Sequence, residues 1–178
     1  MLAEPIAELY FRQLMQTTPW REEEVVVWGR RHLQPRLVAW FGDAHASYSY
    51  SGSTLTPNPW MPLLEELKQL VELRARAEFN SVLLNLYRNE SDRMGWHSDD
   101  EPELGKEPVI ASISLGAPRV FQMRHKSRKE LGIRSYELTS GSLLVMRGET
   151  QRHWLHSIRK ESKPIGPRIN LTFRKISR

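Results

Sequence analysis

Along most of this chain apolar and polar residues trade places every second position, and in only two stretches does the spacing lengthen to that of a helix. The sharpest alternation is at 167–174. On an extended strand Ile169, Leu171 and Phe173 fall on one face, and Arg168, Asn170, Thr172 and Arg174 fall on the other. Short strand-like segments at 82–84, 109–115, 119–125, 135–138 and 142–146 are separated by glycine, proline or charged turns, which is the pattern of a sandwich or jelly roll. Helical spacing appears first at 7–15, through Leu9, Tyr10, Leu14 and Met15. It returns at 62–76, where Pro62 suits a first turn and Leu63, Leu64, Leu67, Leu70 and Val71 make the apolar stripe. Between the helices, the β-branched run at 24–29 ends in Trp28 and Gly29. It reads as a strand that turns through Arg30, Arg31 and His32 and returns along 37–40. A buried hairpin and a finger with an apolar tip and basic flanks both fit this pattern. Tyr48 and Tyr50 are two apart, so extended backbone would turn both to one side.

Composition narrows the picture. A chain of 178 residues without repeats or a marked shift in composition predicts a single domain, 1–178. Lys and Arg outnumber Asp and Glu by 26 to 21, a balance that admits a polyanionic partner without requiring one. The absence of cysteine excludes disulfides and thiolate zinc sites and leaves His and carboxylates to hold any metal. No apolar run approaches the ~18 residues of a membrane span. The N-terminal stretch lacks the basic start and small-residue cleavage site of a signal peptide. The expectation is a soluble intracellular protein with no membrane partner.

The chemistry concentrates at 85–101, NLYRNESDRMGWHSDDE. Asn85 and Tyr87 are two apart, as are His97 and Asp99, so each pair presents two polar groups to one side of an extended strand. An imidazole and a carboxylate, completed by a second imidazole, form the facial triad that holds non-haem Fe(II) and leaves coordination positions open. The second imidazole lies about sixty residues on, at His153 or His156, a separation that a jelly roll closes by bringing distant strands together. Arg168 and Arg174, on one face with Asn170 and Thr172, are costly to bury unless they meet anions. A small dicarboxylate fits, because each guanidinium can grip a carboxylate with two bonds.

Taken together, Asn85-x-Tyr87, His97-x-Asp99-x-Glu101, the strand at 111–116, Gly141 to Leu144, His153 to Ser157 and Arg168-x-Asn170-Leu171-Thr172-Phe173-Arg174 resemble the AlkB family of Fe(II)/2-oxoglutarate-dependent nucleic-acid dealkylases. The likeness covers about residues 20–178 and is greatest to the branch acting on double-stranded DNA. It implies a mainly β (α+β) fold, a double-stranded β-helix of jelly-roll, cupin-like form with flanking helices and an N-terminal nucleotide-recognition hairpin, 20–55 serving as a lid. It further implies iron held by His97, Asp99 and His156; the family's ligand directly precedes a serine, which favours His156 over His153. Asn85, Tyr87, Arg168, Asn170 and Arg174 would line the 2-oxoglutarate pocket, with O2 as the other co-substrate.

A base inside a duplex must be flipped to reach such a site. The resemblance then gives Tyr48 and Tyr50 the stacking, Ser51 a hydrogen bond, and Glu101 the anion facing a cationic base. Val27, Trp28 and Gly29 become a wedge in the vacated stack, Arg36 a support for the deserted strand, and Arg124 and Lys126 phosphate contacts. The expected activity is oxidative demethylation of N1-methyladenine and N3-methylcytosine in DNA, a direct-reversal repair by a monomer in a bacterial cytoplasm or a eukaryotic nucleus. The alternatives are an RNA dealkylase of the same family and a non-catalytic nucleic-acid-binding domain.

Overall fold

The computed structural model of the protein describes residues 1–27, 29–46, 48–50 and 53–177, with the side chains of 26, 27, 48–50 and 53–55 left out. In chain order the elements are α1 (Glu4–Thr17), β1 (Glu24–Val27), β2 (Arg30–Leu33), β3 (Leu37–Gly42), β4 (Tyr48–Tyr50), β5 (Ser53–Leu55) and α2 (Pro62–Ala75). They continue as β6 (Ser81–Tyr87), β7 (Met94–His97), β8 (Ile110–Gly116), β9 (Arg119–His125), β10 (Ile133–Leu138), β11 (Leu143–Met146), α3 (Thr150–His153), β12 (Trp154–Ile158) and β13 (Arg168–Arg174). Helix α2 begins on Pro62, whose fixed φ suits a first turn, and stops where Arg76 turns left-handed at φ 49°.

The strands form two main sheets, both antiparallel. The larger runs β11-β8-β13-β6-β3 and the smaller β10-β9-β12-β7. The alternation of β13 explains how they stack. Its apolar side, Ile169, Leu171 and Phe173, joins Leu84 and Ile113 against Leu14 of α1 and Leu64, Leu67 and Val71 of α2. Its polar side faces the smaller sheet, in a second core where Tyr87, Ile110 and Met146 meet Phe121, Leu138 and Ile158. Both faces of β13 are therefore covered, and all its residues but Arg174 are buried. This is the mainly β, jelly-roll architecture with flanking helices that the sequence predicts. Gly116 ends β8 at φ 87°, where a Cβ would lie 2.5 Å from the Pro167 carbonyl and 2.7 Å from the Phe11 ring, so α1 closes against the sheet only over a glycine.

The hairpin differs from expectation. The return strand is β2, the basic segment read from sequence as a turn, and it pairs with β1 from Glu24↔Leu33 to Val27↔Arg30. Residues 37–40 belong instead to β3 at the edge of the larger sheet, paired with β6. The physical reason is burial. Val38, Ala39, Trp40 and Phe41 are all buried, which a sheet covered on both faces permits, while every residue of β2 is exposed. Two short strands, β7 and β12, and the single-turn helix α3 escape a reading by alternation because His, Trp, Ser and Gln interrupt their apolar pattern.

Leu171→Ala, at a fully buried position of the central strand, is expected to lower unfolding free energy by about 2–5 kcal/mol. Leu33→Ala, on the exposed hairpin, should stay within about 0.5 kcal/mol. Urea denaturation of the two variants measures the difference.

Candidate functional site

The site begins with one pair in the smaller sheet. His97, the last residue of β7, lies directly opposite His156 of β12, and their ring centroids are 4.1 Å apart. Just beyond β7 the chain leaves the ladder and Asp99 folds back, so that ligand atoms of His97, Asp99 and His156 all lie within 4.8 Å of one another. His97 Nδ1 lies 2.9 Å from the Gly95 carbonyl. A carbonyl can only accept, so Nδ1 carries the proton, and Nε2, 3.7 Å from Asp99 Oδ1, keeps its lone pair for the cluster. His156 Nδ1 is buried and has no hydrogen-bond partner.

The charges of the cluster suit a cation. Burial alone would raise the Asp99 pKa, but Arg174 and the two imidazoles outweigh it and hold the carboxyl below its usual range. Arg174 donates to Asp99 Oδ2 at 2.8 Å. Burial, reinforced by His97 and Arg174 and opposed by Asp99, pushes His156 down from 6.5 to about 4, so its ring is neutral and able to coordinate at physiological pH. Two imidazoles and a carboxylate on neighbouring elements match the donor set of a non-haem Fe(II) centre. Among the described residues no other group of His, Cys, Asp and Glu is assembled this way.

The same cavity carries a buried cation. Arg168, 1 % exposed, donates from one terminal nitrogen to Ser114 Oγ at 2.8 Å, while Nε and the other terminal nitrogen are buried without partners. Burial lowers its pKa to about 10, which leaves it charged at neutral pH. Two unpaired N–H groups on a buried guanidinium form a ready socket for a carboxylate. Asn170 donates to Ser112 Oγ and to the Ile113 carbonyl, and the Tyr87 ring lies between Arg168 and Arg119, with guanidinium carbons 5.3 and 5.4 Å from its centroid. The free space beside these groups is about 40 Å³. A five-carbon diacid enters it only by moving wall residues, of which Met94 and Met146 have unbranched side chains that change rotamer at little cost.

The structure thus brings together His97, Asp99, His156, Asn85, Tyr87, Arg168, Asn170 and Arg174 around one cavity. His153 stays apart, at the end of α3, with Nε2 3.5 Å from Glu149 and its ring stacked on His125. Glu101 is not part of the cavity wall, although its Oε2 is buried and unpaired. Trp28 and Ser51 lie outside the described residues, as do the side chains of Val27, Tyr48 and Tyr50. Gly29 takes the turn between β1 and β2 at φ 73°.

Of the residues expected to meet DNA backbone, Arg124 is exposed and lies over the Trp96 ring at 4.5 Å. The expectation for Arg36 needs correction. It is 9 % exposed and donates from Nε to Asn85 Oδ1 at 2.7 Å, so burial turns it into a support of the cavity wall. Lys126 is engaged by Asp100 and by the Gln151 carbonyl.

Sequence reading passed over Gln151 and Arg119. Arg119 is fully enclosed and ties the carbonyls of Asn89, Asp92 and Arg159 together. Nothing in the periodicity distinguishes either residue; only their burial does, Arg119 at the start of β9 and Gln151 in α3.

Comparison with known proteins places this arrangement among relatives. Residues 1–174 match the family described as the 2OG-Fe(II) oxygenase superfamily. The chain is 45% identical over 178 residues to the alpha-ketoglutarate-dependent dioxygenase alkB homolog 3 of Homo sapiens, covering 96% of this chain and 62% of that protein. It is 41% identical over 179 residues to the DNA oxidative demethylase ALKBH2 of Mus musculus, covering 96% and 75%. The chain spans about three fifths of the length of the alkB homolog 3 proteins it matches. The solved structure of OsALKBH1 superposes with a TM-score of 0.67 at 19% identity over 98% of this chain and 94% of that one, a likeness of fold.

The depressed His156 pKa has a consequence for the metal-free protein. The unfolded chain takes up the proton near pH 6.5 and the folded chain only near 4, so acidification between those values favours unfolding. Stability present above pH 6.5 should fall by on the order of 2–3 kcal/mol by pH 4.5. Urea denaturation at pH 7.5 and 4.5 should show this fall in wild type, and a smaller one in His156→Gln, which cannot titrate.

Proposed function

The chain belongs to the AlkB group of the 2OG-Fe(II) oxygenase superfamily, and on that premise we propose that it oxidatively removes N-alkyl groups from nucleic-acid bases, using Fe(II), 2-oxoglutarate and O2. The observation that carries this reading is the pairing, in one cavity, of the His97, Asp99 and His156 cluster with the unpaired guanidinium of Arg168. When bound, iron and 2-oxoglutarate supply the oxygen activation that hydroxylates the alkyl carbon, after which it leaves as an aldehyde. The chain does the rest. His97 offers Nε2, its other nitrogen being occupied by Gly95. Arg174 keeps Asp99 ionised and turned toward the imidazoles. Arg168 receives one carboxylate of the diacid, with Tyr87, Asn85 and Asn170 shaping the wall. Phe121, stacked on His156 at 5.4 Å, and Leu144 keep water from the reacting atoms.

The substrate we favour is DNA carrying N1-methyladenine or N3-methylcytosine. A relative named as a DNA oxidative demethylase and the net charge of +5 support a polyanionic substrate. Glu101, two residues beyond Asp99 and outside the cavity wall, would meet a cationic lesion by turning its carboxylate, whose Oε2 has no hydrogen-bond partner among the described residues, toward the site. Tyr48, Tyr50 and Ser51 would hold the flipped base, and Val27, Trp28 and Gly29 would fill the gap it leaves. RNA is the second reading, with unchanged chemistry. No helix among the described residues is long and apolar enough to cross a membrane, and such an enzyme belongs where nucleic acid is kept, in a bacterial cytoplasm or a nucleus.

Formaldehyde release from methylated single-stranded DNA, duplex DNA and RNA, side by side, tests the reading. Release that requires both iron and 2-oxoglutarate is expected, greatest on DNA; greater release from RNA favours the second reading, and none from any of the three substrates overturns both. For Glu101→Gln, the preference for cationic N1-methyladenine and N3-methylcytosine over neutral N3-methylthymine should shrink while iron stays bound. An unchanged ratio would remove Glu101 from base recognition.

A further inference from the structure

Asp99 stands two residues past the end of β7, so no sheet ladder holds its main chain. Its N–H is held by a side chain, donating to Gln151 Oε1 at 3.0 Å. Gln151 is 2 % exposed, sits in α3 five residues before His156, and directs its amide nitrogen toward Met146 Sδ at 3.4 Å. Its own carbonyl accepts from Lys126 Nζ at 2.9 Å, and the same ammonium reaches Asp100 Oδ2 at 3.1 Å. That carboxylate oxygen also accepts from Ser98 Oγ at 2.9 Å. The Lys126 N–H donates to the His153 carbonyl at 2.8 Å, so the loop after β9 is tied to α3 as well. Ser98, Asp99 and Asp100 are thus pinned, one after another, to the turn that delivers His156.

We infer that Gln151, clasped by Lys126, is a positioning residue that sets the affinity of the site for a divalent metal by indexing Asp99 against His156. The inference rests on the metal reading of the His97, Asp99 and His156 cluster. It follows from geometry: β7 and β12 place the two imidazoles by direct pairing, whereas the carboxylate hangs on a loop, where its side chain meets Arg174 and its N–H meets Gln151. A buried amide that spends its one good acceptor on a ligand's backbone fixes where that ligand's side chain starts. Residues behind metal ligands, when removed, typically cost 10–100-fold in affinity. Lys126, read from sequence as a phosphate contact, becomes part of the metal site and not of the nucleic-acid surface.

The test uses the metal-free full chain and Mn(II) as a redox-stable probe, with free Mn(II) followed by electron paramagnetic resonance and no nucleic acid present. Wild type should bind one equivalent and Asp99→Ala none. Gln151→Met, similar in volume but without the amide acceptor, should bind about 10–100-fold more weakly. Lys126→Met, at a partly exposed side chain that folding tolerates, should weaken binding several-fold. The double variant should lose less than the product of the two single losses, because both act on one unit. Melting temperatures of the metal-free proteins separate this from general damage, since a positioning role shifts affinity at nearly constant melting temperature. If Gln151→Met does not fold, Lys126→Met carries the test alone. Wild-type affinity in both variants, with Asp99→Ala inactive in binding, overturns the inference and leaves the metal site standing. Unaltered binding by Asp99→Ala overturns both. In a separate titration with DNA, unchanged Mn(II) affinity combined with weakened DNA binding in Lys126→Met returns that lysine to the phosphate surface and overturns the clasp.

Discussion

A charged guanidinium sealed between two β-sheets is the constraint on which the rest of this structure depends. Arg168 is buried with two nitrogens unpaired, and an uncompensated charge in such a place is strongly unfavourable unless a counter-ion arrives. Among the described residues no carboxylate pairs with it. The fold supplies instead a hydroxyl and an aromatic face. On the proposed function, the missing partner is a carboxylate of the bound diacid. The other arginine of the same sheet face, the half-buried Arg174, meets Asp99 directly, and this ion pair keeps a carboxylate ionised next to two imidazoles. On that proposal one strand carries both halves of the chemistry, a socket for an anion near its start and, near its end, the cation beside a metal ligand.

This arrangement also explains the layers around it. A strand with arginines on one face and isoleucine, leucine and phenylalanine on the other cannot lie at a surface on either side without exposing one or the other unfavourably. The two helices cover the apolar side, and the smaller sheet covers the polar side. The histidines come from the smaller sheet because only that sheet faces the polar side of β13. Losing Arg174 would leave the buried Asp99 charge without its partner, a change that typically costs about 3–5 kcal/mol. Site and fold are accordingly not separable at these residues.

Much of this was legible in the chain because β13 alternates without a break over seven residues, and because His97-x-Asp99 and Arg168 to Arg174 are dense, ordered motifs. The jelly-roll class follows from the run of short strands for the same reason. The misreadings have local causes. The exposed strand β2 has no apolar face to betray it, and the basic residues Arg30 to His32 read as a turn. Arg36 looks like a surface cation in a basic chain, yet it is drawn inward by an acceptor distant in sequence, Asn85. Gln151 carries no signature at all, since its importance lies in a hydrogen bond to a backbone fifty-two residues away. Periodicity records which face a residue takes, and it does not record which loop will fold onto that face.

The central claim is that Arg168 is the socket for the distal carboxylate of a diacid, and isothermal titration into Mn(II)-loaded protein tests it most directly. The account predicts that wild type binds one equivalent of 2-oxoglutarate and that Arg168→Lys, which loses the planar fork, binds it at least about tenfold more weakly. It predicts further that 2-oxobutyrate, which lacks the distal carboxylate, binds weakly to both and is indifferent to the substitution. Equal affinity of wild type and Arg168→Lys for 2-oxoglutarate, or an equal loss with 2-oxobutyrate, would contradict it.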